Sequence, residues 1–330
     1  MRALLSEVAG GPAALVLREL PDPTVGPGQV RIAVRCCGVN FPDALLIEDK
    51  YQMRPPRPFA PGLETSGVID LVGPDVTSLK VGDRVIAHVE YGGFAEKLVV
   101  DAAHCIPIPD SMPFDVAAGV LVTYSTVHHA LVDRGELKAG ETLLVLGAAG
   151  GVGLAAIDLG KSLGARVVAA VSTETKAQAA RAAGADEVVV YPVEPSDGKA
   201  IATAFKSACG ARGADVIFDP VGGDYAEPAL RTAAWRGRYL VIGFPAGIPR
   251  IPLNLPLLKG CDIRGVFMGA ARRQEPKKYD AALRELLTMY AEGKIHPLVS
   301  ARFPLAEGGR AIQQLLNREV IGKVVVDCDR

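Results

Sequence analysis

The sequence predicts an α/β protein built on a doubly wound parallel sheet, with a separate, mostly β domain ahead of it. Three observations carry this. Hydrophobic runs in the first ~120 residues are short and punctuated by Gly and Pro, the pattern of a compact β domain with irregular loops. From about residue 125 on, runs rich in Val, Ile and Leu alternate with helical patterns. One of those runs leads through the glycine cluster LGAAGGVGLAA (146–156) into a helix. A chain of 330 residues is also longer than one core usually serves, which agrees with two domains.

In the β part the strand-like runs are QVRIAVRCCG (29–38), TSGVIDLVG (65–73), GDRVIAH (82–88) and FAEKLVV (94–100). The α/β part begins with a helix around STVHHALVDRG and strand TLLVLG (142–147), then helix GLAAIDLGKSLG and strand ARVVAAV (165–171). Helix TKAQAARAAG, strands EVVVY (187–191) and ADVIFDPV (214–221), a helix near YAEPALRTAA, strand YLVIGF (239–244) and CDIRGVFMG (261–269) follow. Strands that are apolar almost throughout are buried on both faces, as in a parallel sheet covered by helices. After residue 270, helices KKYDAALRELLTMYAEG and LAEGGRAIQQLLNRE precede a last strand, GKVVVDC. These residues are too few for another domain. The expected division is therefore 1–124 for the β domain, 125–264 for the dinucleotide-binding domain, and 265–330 for the sheet edge and a return to the β domain.

The 36 Lys plus Arg nearly cancel the 37 Asp plus Glu, leaving a net charge of −1 and no electrostatic case for nucleic acid or an anionic membrane as partner. Glu7 interrupts the N-terminal apolar residues, unlike a secretory signal, and no apolar stretch is long enough to span a bilayer. The six cysteines are scattered, without the spacing of a disulfide framework, so a reducing cytoplasm is expected.

The glycine cluster has the context that a dinucleotide fingerprint requires, between strand and helix. Its G-x-G-x-x-G frame is Ala148-Ala149-Gly150-Gly151-Val152-Gly153, with Ala at the first position. Gly150, lacking a Cβ, lets the backbone approach a pyrophosphate, and Gly153 lets helix and strand pack closely. The helix N-terminus offers unpaired N–H groups to the anion. In units that bind NAD, an acid ~20 residues further on receives the adenosine ribose. Here that place holds Ser172, which can donate to a 2′-phosphate where a carboxylate would repel it, with Lys176 one helical turn on. Lys176 has the alternative of being an ordinary exposed lysine. Glu174 is expected to point outward from the first turn of a new helix. The cofactor expected from this spacing is NADPH.

No metal site is expected. No two cysteines have the spacing of a structural zinc site, adjacent Cys36 and Cys37 point to opposite faces of a strand, and the five histidines form no i, i+4 pair.

With the segments GVNFPDALL (38–46), APGLETSGVI (60–69), VGDRV (81–85), GGFAE (92–96), AAGGVG (148–153), AAGADEVVVY (182–191), FDPVGG (218–223) and GKVVV (322–326), the chain resembles the medium-chain dehydrogenase/reductase superfamily. Within it the resemblance is to the zinc-free, zeta-crystallin-like quinone oxidoreductase branch, over essentially the whole length. It implies a GroES-like catalytic domain beside a Rossmann domain. Zinc-dependent members carry a catalytic cysteine where this chain has Asn40 and a metal-binding histidine where it has Leu63, so Glu64 is expected to lack a partner. The resemblance implies that Asn40 and the Phe41–Asp43 segment face nicotinamide and substrate, that Tyr51 lines the substrate side, and that Thr126 approaches the nicotinamide. It brings Gly151 and Val152 to the pyrophosphate, Ser172, Lys176 and Tyr191 to the 2′-phosphate, and Gly243, Phe244, Val266, Phe267 and Lys323 to the cofactor.

Residue chemistry leaves alternatives beside these roles: a helix cap for Asp43, a loop aromatic for Tyr51, core packing for Phe244 and Phe267. The implied activity is NADPH-dependent, metal-free hydride transfer to a quinone in the cleft between the domains. Without a Lewis acid the acceptor must already be electron-poor, and Asn40 is expected to donate a hydrogen bond to its oxygen. Reduction of enoyl or alkenal double bonds is the alternative within enzymes, and NADPH binding with little catalysis the alternative outside them. A homodimer joined through the edge near CDIRGVFMG is expected by resemblance.

Overall fold

The computed structural model describes residues 1–192 and 197–329. It divides into two compact units, one made of Met1–Val122 together with the chain from Pro297 on, the other of Thr123–His296.

The first unit opens with β1 (Arg2–Ser6), β2 (Leu15–Glu19), β3 (Gln29–Gly38), α1 (Phe41–Ile47), β4 (Glu64–Val72), β5 (Arg84–His88), β6 (Lys97–Asp101) and β7 (Cys105–Pro107). Helix α2 (Phe114–His128) carries the chain on into the second unit. That unit contains β8 (Thr142–Val145), α3 (Gly151–Ser162), β9 (Arg166–Val171), α4 (Glu174–Ala182), β10 (Glu187–Val190), α5 (Gly198–Cys209), β11 (Ala214–Asp219) and α6 (Ala226–Leu230). It continues with β12 (Ala233–Val241), α7 (Asn254–Lys259), β13 (Asp262–Gly265), α8 (Met268–Gln274) and α9 (Pro276–Ala291). Finally β14 (Val299–Pro304), α10 (Gly308–Leu316) and β15 (Lys323–Asp327) complete the first unit.

In the first unit β3 is the centre of the sheet. It pairs antiparallel with β4, β6 and β15, and the path runs β14-β15-β3-β4-β5-β7. Val30, Ile32 and Val34 alternate inward along β3, the period-2 pattern that fixes its register against the core. The C-terminal strand β15 lies beside the end of β3, with Val325 opposite Gly38. This register brings residues from opposite ends of the chain to one place.

In the second unit six parallel strands run in the order β10-β9-β8-β11-β12-β13. Numbered within the unit this is 3-2-1-4-5-6, the doubly wound order, and it reverses between β8 and β11. The glycine turn therefore leaves β8 at the switch point, where such sheets bind ligands. On α3, the Asp158 carboxylate accepts hydrogen bonds from the Tyr124 hydroxyl and the His296 N–H, both at 2.6 Å.

Several elements differ from the sequence reading. The helix expected over 125–135 begins at Phe114, and its last part, His129–Arg134, is a π-helix. After Asp115 in its first turn, residues 116–122 are apolar or glycine without a break, so no period marks this part of the helix. Helix α5 was not anticipated. Its N-cap is Asp197, whose carboxylate accepts the Lys199 and Ala200 N–H groups, and it buries Ile201, Phe205 and Cys209 at i, i+4 and i+8. Strand β12 begins at Ala233, inside the stretch read as helix, and β14 is an additional strand parallel to β15.

The glycines of the turn separate two demands. A Cβ on Gly153 would lie 2.4 Å from the Gly147 carbonyl oxygen and 2.7 Å from Ala148, whereas one on Gly150 would meet nothing closer than 3.5 Å. Gly153 is thus required by packing within the fold, and Gly150 is not. Gly153→Ala should lower stability by about 1–3 kcal/mol through overpacking, and Gly150→Ala by less than about 1 kcal/mol. Urea unfolding followed by circular dichroism checks this; equal losses would contradict the packing argument.

Candidate active site

The first unit carries a polar cluster where β3 ends. Asn40 precedes α1, and its backbone N–H donates to Asp43 Oδ2 at 2.7 Å, while the Asp43 N–H donates to the Asn40 carbonyl. The Asn40 side chain is fully engaged as well. Its Nδ2 donates to Glu64 Oε1 at 2.9 Å and to the Gly38 carbonyl at 3.3 Å, and its Oδ1 accepts from Lys323 Nζ at 2.6 Å. Since an ammonium only donates, the amide oxygen must face Lys323, which fixes the orientation of the amide. Lys323 Nζ also forms an ion pair with Glu64 Oε1 at 2.6 Å, with side-chain exposures of 7% and 0%. The second oxygen of Glu64 accepts the Val122 N–H at 2.8 Å.

Two glycines make room for this pair. A Cβ on Gly38 would lie 2.5 Å from Glu64 Oε1, and one on Gly119 would lie 3.1 Å from Lys323 Cγ. Gly119 sits inside helix α2, where Gly costs about 1 kcal/mol relative to Ala. The passage of the Lys323 stem accounts for it.

Three expectations change here. Glu64 does have a partner, Lys323. Asn40 does not offer an amide proton to an incoming oxygen, because both are committed within the cluster. Asp43 is completely buried, and its oxygens accept the Asn40 and Gly62 N–H groups, so it acts as the cap of α1 and not as a group presented to substrate. Burial pushes the Asp43 carboxyl up to about 7, against the pull of those two backbone donors and of Lys323. Tyr51 is half-buried and packs against the core of the unit, and Phe41 is exposed at the first position of α1.

In the second unit the residues of the expected cofactor surface gather at the carboxyl ends of β8, β9 and β10. Gly150 is the N-cap of α3, and no side chain caps the helix, so the N–H groups of its first turn, including Gly151 and Val152, are unclaimed by a capping side chain. Ser172 and Lys176 are together, Nζ to Oγ at 3.4 Å. Thr173 caps α4, and Glu174 is drawn away by an ion pair with Arg181 at 2.6 Å. Tyr191 is buried at the end of β10, its ring 4.8 Å from that of Tyr225 and 6.0 Å from that of Phe205.

Thr126 is half-buried on α2, Gly243 half-buried after β12, and Val266 buried after β13. Phe244 and Phe267 are 44% and 49% exposed, so neither is a core residue. Asp219, unremarked in the sequence, shapes the loop after β11. It accepts the Val221 and Gly222 N–H groups at 2.8 and 2.9 Å and the Tyr239 hydroxyl, and burial raises its pKa.

Comparison with known proteins matches residues 26–110 to the alcohol dehydrogenase GroES-like domain and residues 151–288 to the zinc-binding dehydrogenase family. A quinone oxidoreductase-like protein 2 homolog from Nematostella vectensis is 36% identical over 99% of this chain and 88% of its own length. The chain belongs to the quinone oxidoreductase branch of the medium-chain dehydrogenase/reductase superfamily. A mycobacterial structure solved with NADPH superposes with a TM-score of 0.91 at 31% identity, covering 99% of this chain and all of the other. Escherichia coli quinone oxidoreductase, also solved with NADPH, gives 0.90 at 27% identity over 99% and 100%.

Within this branch the chain's side chains do not suit the zinc of the matched family's description. Leu63 supplies no ligand atom, Asn40 is bound to Lys323 and Glu64, and no group of three or more His, Cys, Asp or Glu able to hold a metal occurs among the described residues. No helix among them is long and apolar enough to cross a membrane. A cavity of about 460 Å³ in the second unit, beside His128, His129, Lys278 and Glu285, is lined by none of the candidate residues.

The raised pKa of Asp43 has a signed consequence. Between its ordinary value, about 3.9, and about 7 the folded protein keeps a proton that the unfolded chain releases. Its contribution to stability is therefore fully present below the ordinary value and falls as pH rises toward 7. Asp43→Asn lacks this titration, so the wild type should lose stability relative to the variant between pH 5 and pH 7. Denaturant midpoints that change in parallel for the two proteins would show that Asp43 is ionised throughout.

Proposed function

We propose that this chain is an NADPH-dependent oxidoreductase whose hydride acceptor is a quinone. The observation that carries the cofactor reading is the Ser172–Lys176 pair at the end of β9, where a unit selective for NAD has an acid. A hydroxyl and an ammonium there bind a 2′-phosphate through charge-assisted hydrogen bonds, with Tyr191 flanking them. The open cradle at Gly150 and the first turn of α3, with Gly151 and Val152, receives the pyrophosphate. Thr126, Gly243, Phe244, Val266 and Phe267 border the nicotinamide end. Bound NADPH supplies the hydride. Phe41 and Tyr51 offer aromatic surface to a planar acceptor.

The acceptor is assigned from chemistry and from relatives. No group of three or more His, Cys, Asp or Glu able to hold a metal occurs among the described residues, so an acceptor that delocalises incoming charge by itself suits the cluster at Asn40, and quinones do this strongly. The named relatives are quinone oxidoreductases or quinone oxidoreductase-like proteins. Assembly follows from the sheet edge. Strand β13 pairs only with β12 among the described strands, and Trp235, Leu257, Leu258 and Ile263 nearby are exposed. A two-fold mate pairing along β13 would cover that apolar surface in a homodimer.

Lys176→Glu should reduce kcat/KM for NADPH at least about tenfold while leaving NADH nearly unchanged, the effect of losing one charge-assisted contact to phosphate. Initial rates with both cofactors, on matched quinone and enone panels, test cofactor and acceptor together. Equal losses for both cofactors would overturn the 2′-phosphate assignment, and faster enone than quinone turnover would make the protein a double-bond reductase. Ile263→Lys should shift the protein from dimer to monomer in size-exclusion chromatography. A wild type that is monomeric at every concentration would remove the dimer.

A further inference from the structure

We propose that the Lys323 ammonium is the electrophile of the reaction, donating its third N–H to the substrate oxygen that becomes negative as the hydride is delivered. This rests on the hydride-transfer reading above and names the group that receives the charge. Three observations lead to it. Asn40 has no amide proton to spare, since Nδ2 is bound to both Glu64 and Gly38. Asp43 is sealed from solvent with both oxygens satisfied by backbone donors. Lys323 has three donors: one is hydrogen-bonded to Asn40 Oδ1, the ammonium is ion-paired with Glu64 Oε1, and no further hydrogen bond of the ammonium is seen among the described residues.

The surroundings are those of a held charge. Glu64 is fully buried and fixes one direction of the ammonium, Asn40 fixes a second, and the notch at Gly119 fixes the stem. A donor so constrained needs no reorganisation when charge appears, which is the condition under which such groups are most effective. Lys323 is 6% exposed, so the ammonium is largely shielded from water. Glu64 and Asn40 are positioning residues in this arrangement.

A C–H bond of the dihydronicotinamide breaks and its hydrogen leaves with two electrons, forming a bond to the quinone and leaving NADP⁺. The quinone oxygen takes the negative charge, and one proton from solvent completes the hydroquinone. Lys323 gives a hydrogen bond and no proton.

The test uses Lys323→Gln and the double variant Lys323→Gln/Glu64→Gln, in which no carboxylate is left buried opposite a neutral amide. Steady-state rates are measured on substituted 1,4-benzoquinones of graded reduction potential, and NADPH affinity by its fluorescence. The expected result is a fall in kcat of about 10²–10³-fold, largest for the least electron-poor quinones, with NADPH affinity within about threefold of wild type. A kcat within threefold of wild type and an unchanged dependence on quinone potential would overturn the proposal. So would a loss confined to NADPH affinity, which would make Lys323 a cofactor contact. Failure of the wild type itself to oxidise NADPH with any quinone would instead overturn the reading on which the proposal stands.

Discussion

The first unit is organised around a buried ion pair. Removing a carboxylate and an ammonium from water is costly, and the pair is tolerable because Asn40 and the Val122 N–H satisfy both Glu64 oxygens and Asn40 Oδ1 takes one donor of Lys323. Much of the local backbone answers to that requirement. Strand β3 must end in Gly38 so that the Glu64 carboxylate can lie against it, and α2 must carry Gly119 where the Lys323 stem passes. Strand β15 must also be the neighbour of β3, since only that register delivers Lys323 to Glu64. Substituting an apolar pair would relieve the desolvation but leave no charge at the end of α1. The pair is better understood as the cost of holding a cation in a fixed direction than as a source of stability.

The second unit solves a different problem with backbone. Its sheet order reverses beside β8, and the turn that leaves β8 spends its glycines in two ways: one to bring α3 against the strand, the other to leave the helix N-terminus open. The open end carries no side-chain cap, so its donors stay available to an anion. At the next strand Thr173 caps α4 while Ser172 and Lys176 stay together beside it. Capping and recognition are thus divided between neighbours.

The doubly wound sheet and the β domain were legible from the sequence because each rests on local signals: alternation in β3, continuous apolar strands, and glycines between strand and helix. The start of α2 is hidden by the unbroken apolar run over 116–122, which has no period to detect. Helix α5 carries Asp197 and an i, i+4, i+8 apolar spacing, a short local signal between two strands. The least legible feature was the partner of Glu64. Lys323 lies 283 residues beyond Asn40, and nothing in GKVVV says that its lysine turns inward. The trace that existed was indirect: an unexplained glycine within the helix at VAAGVLV. Side-chain roles that depend on such non-local meetings, Asp43 as a sealed cap and Asn40 as a bracket, become visible only once the strands are in register.

Asp158 ties the Tyr124 hydroxyl and the His296 N–H to one carboxylate, and these residues stand just inside the two ends of the second unit. The entrance and the exit of that stretch of chain are thereby held at a common point. In architectural language the nucleotide-binding unit is an insert with a single doorway, placed between the two halves of its host. An insert of this kind can be lengthened, exchanged or permuted without drawing the halves of the host apart, because the distance its chain must bridge is set by one side chain on its own first helix after the glycine turn.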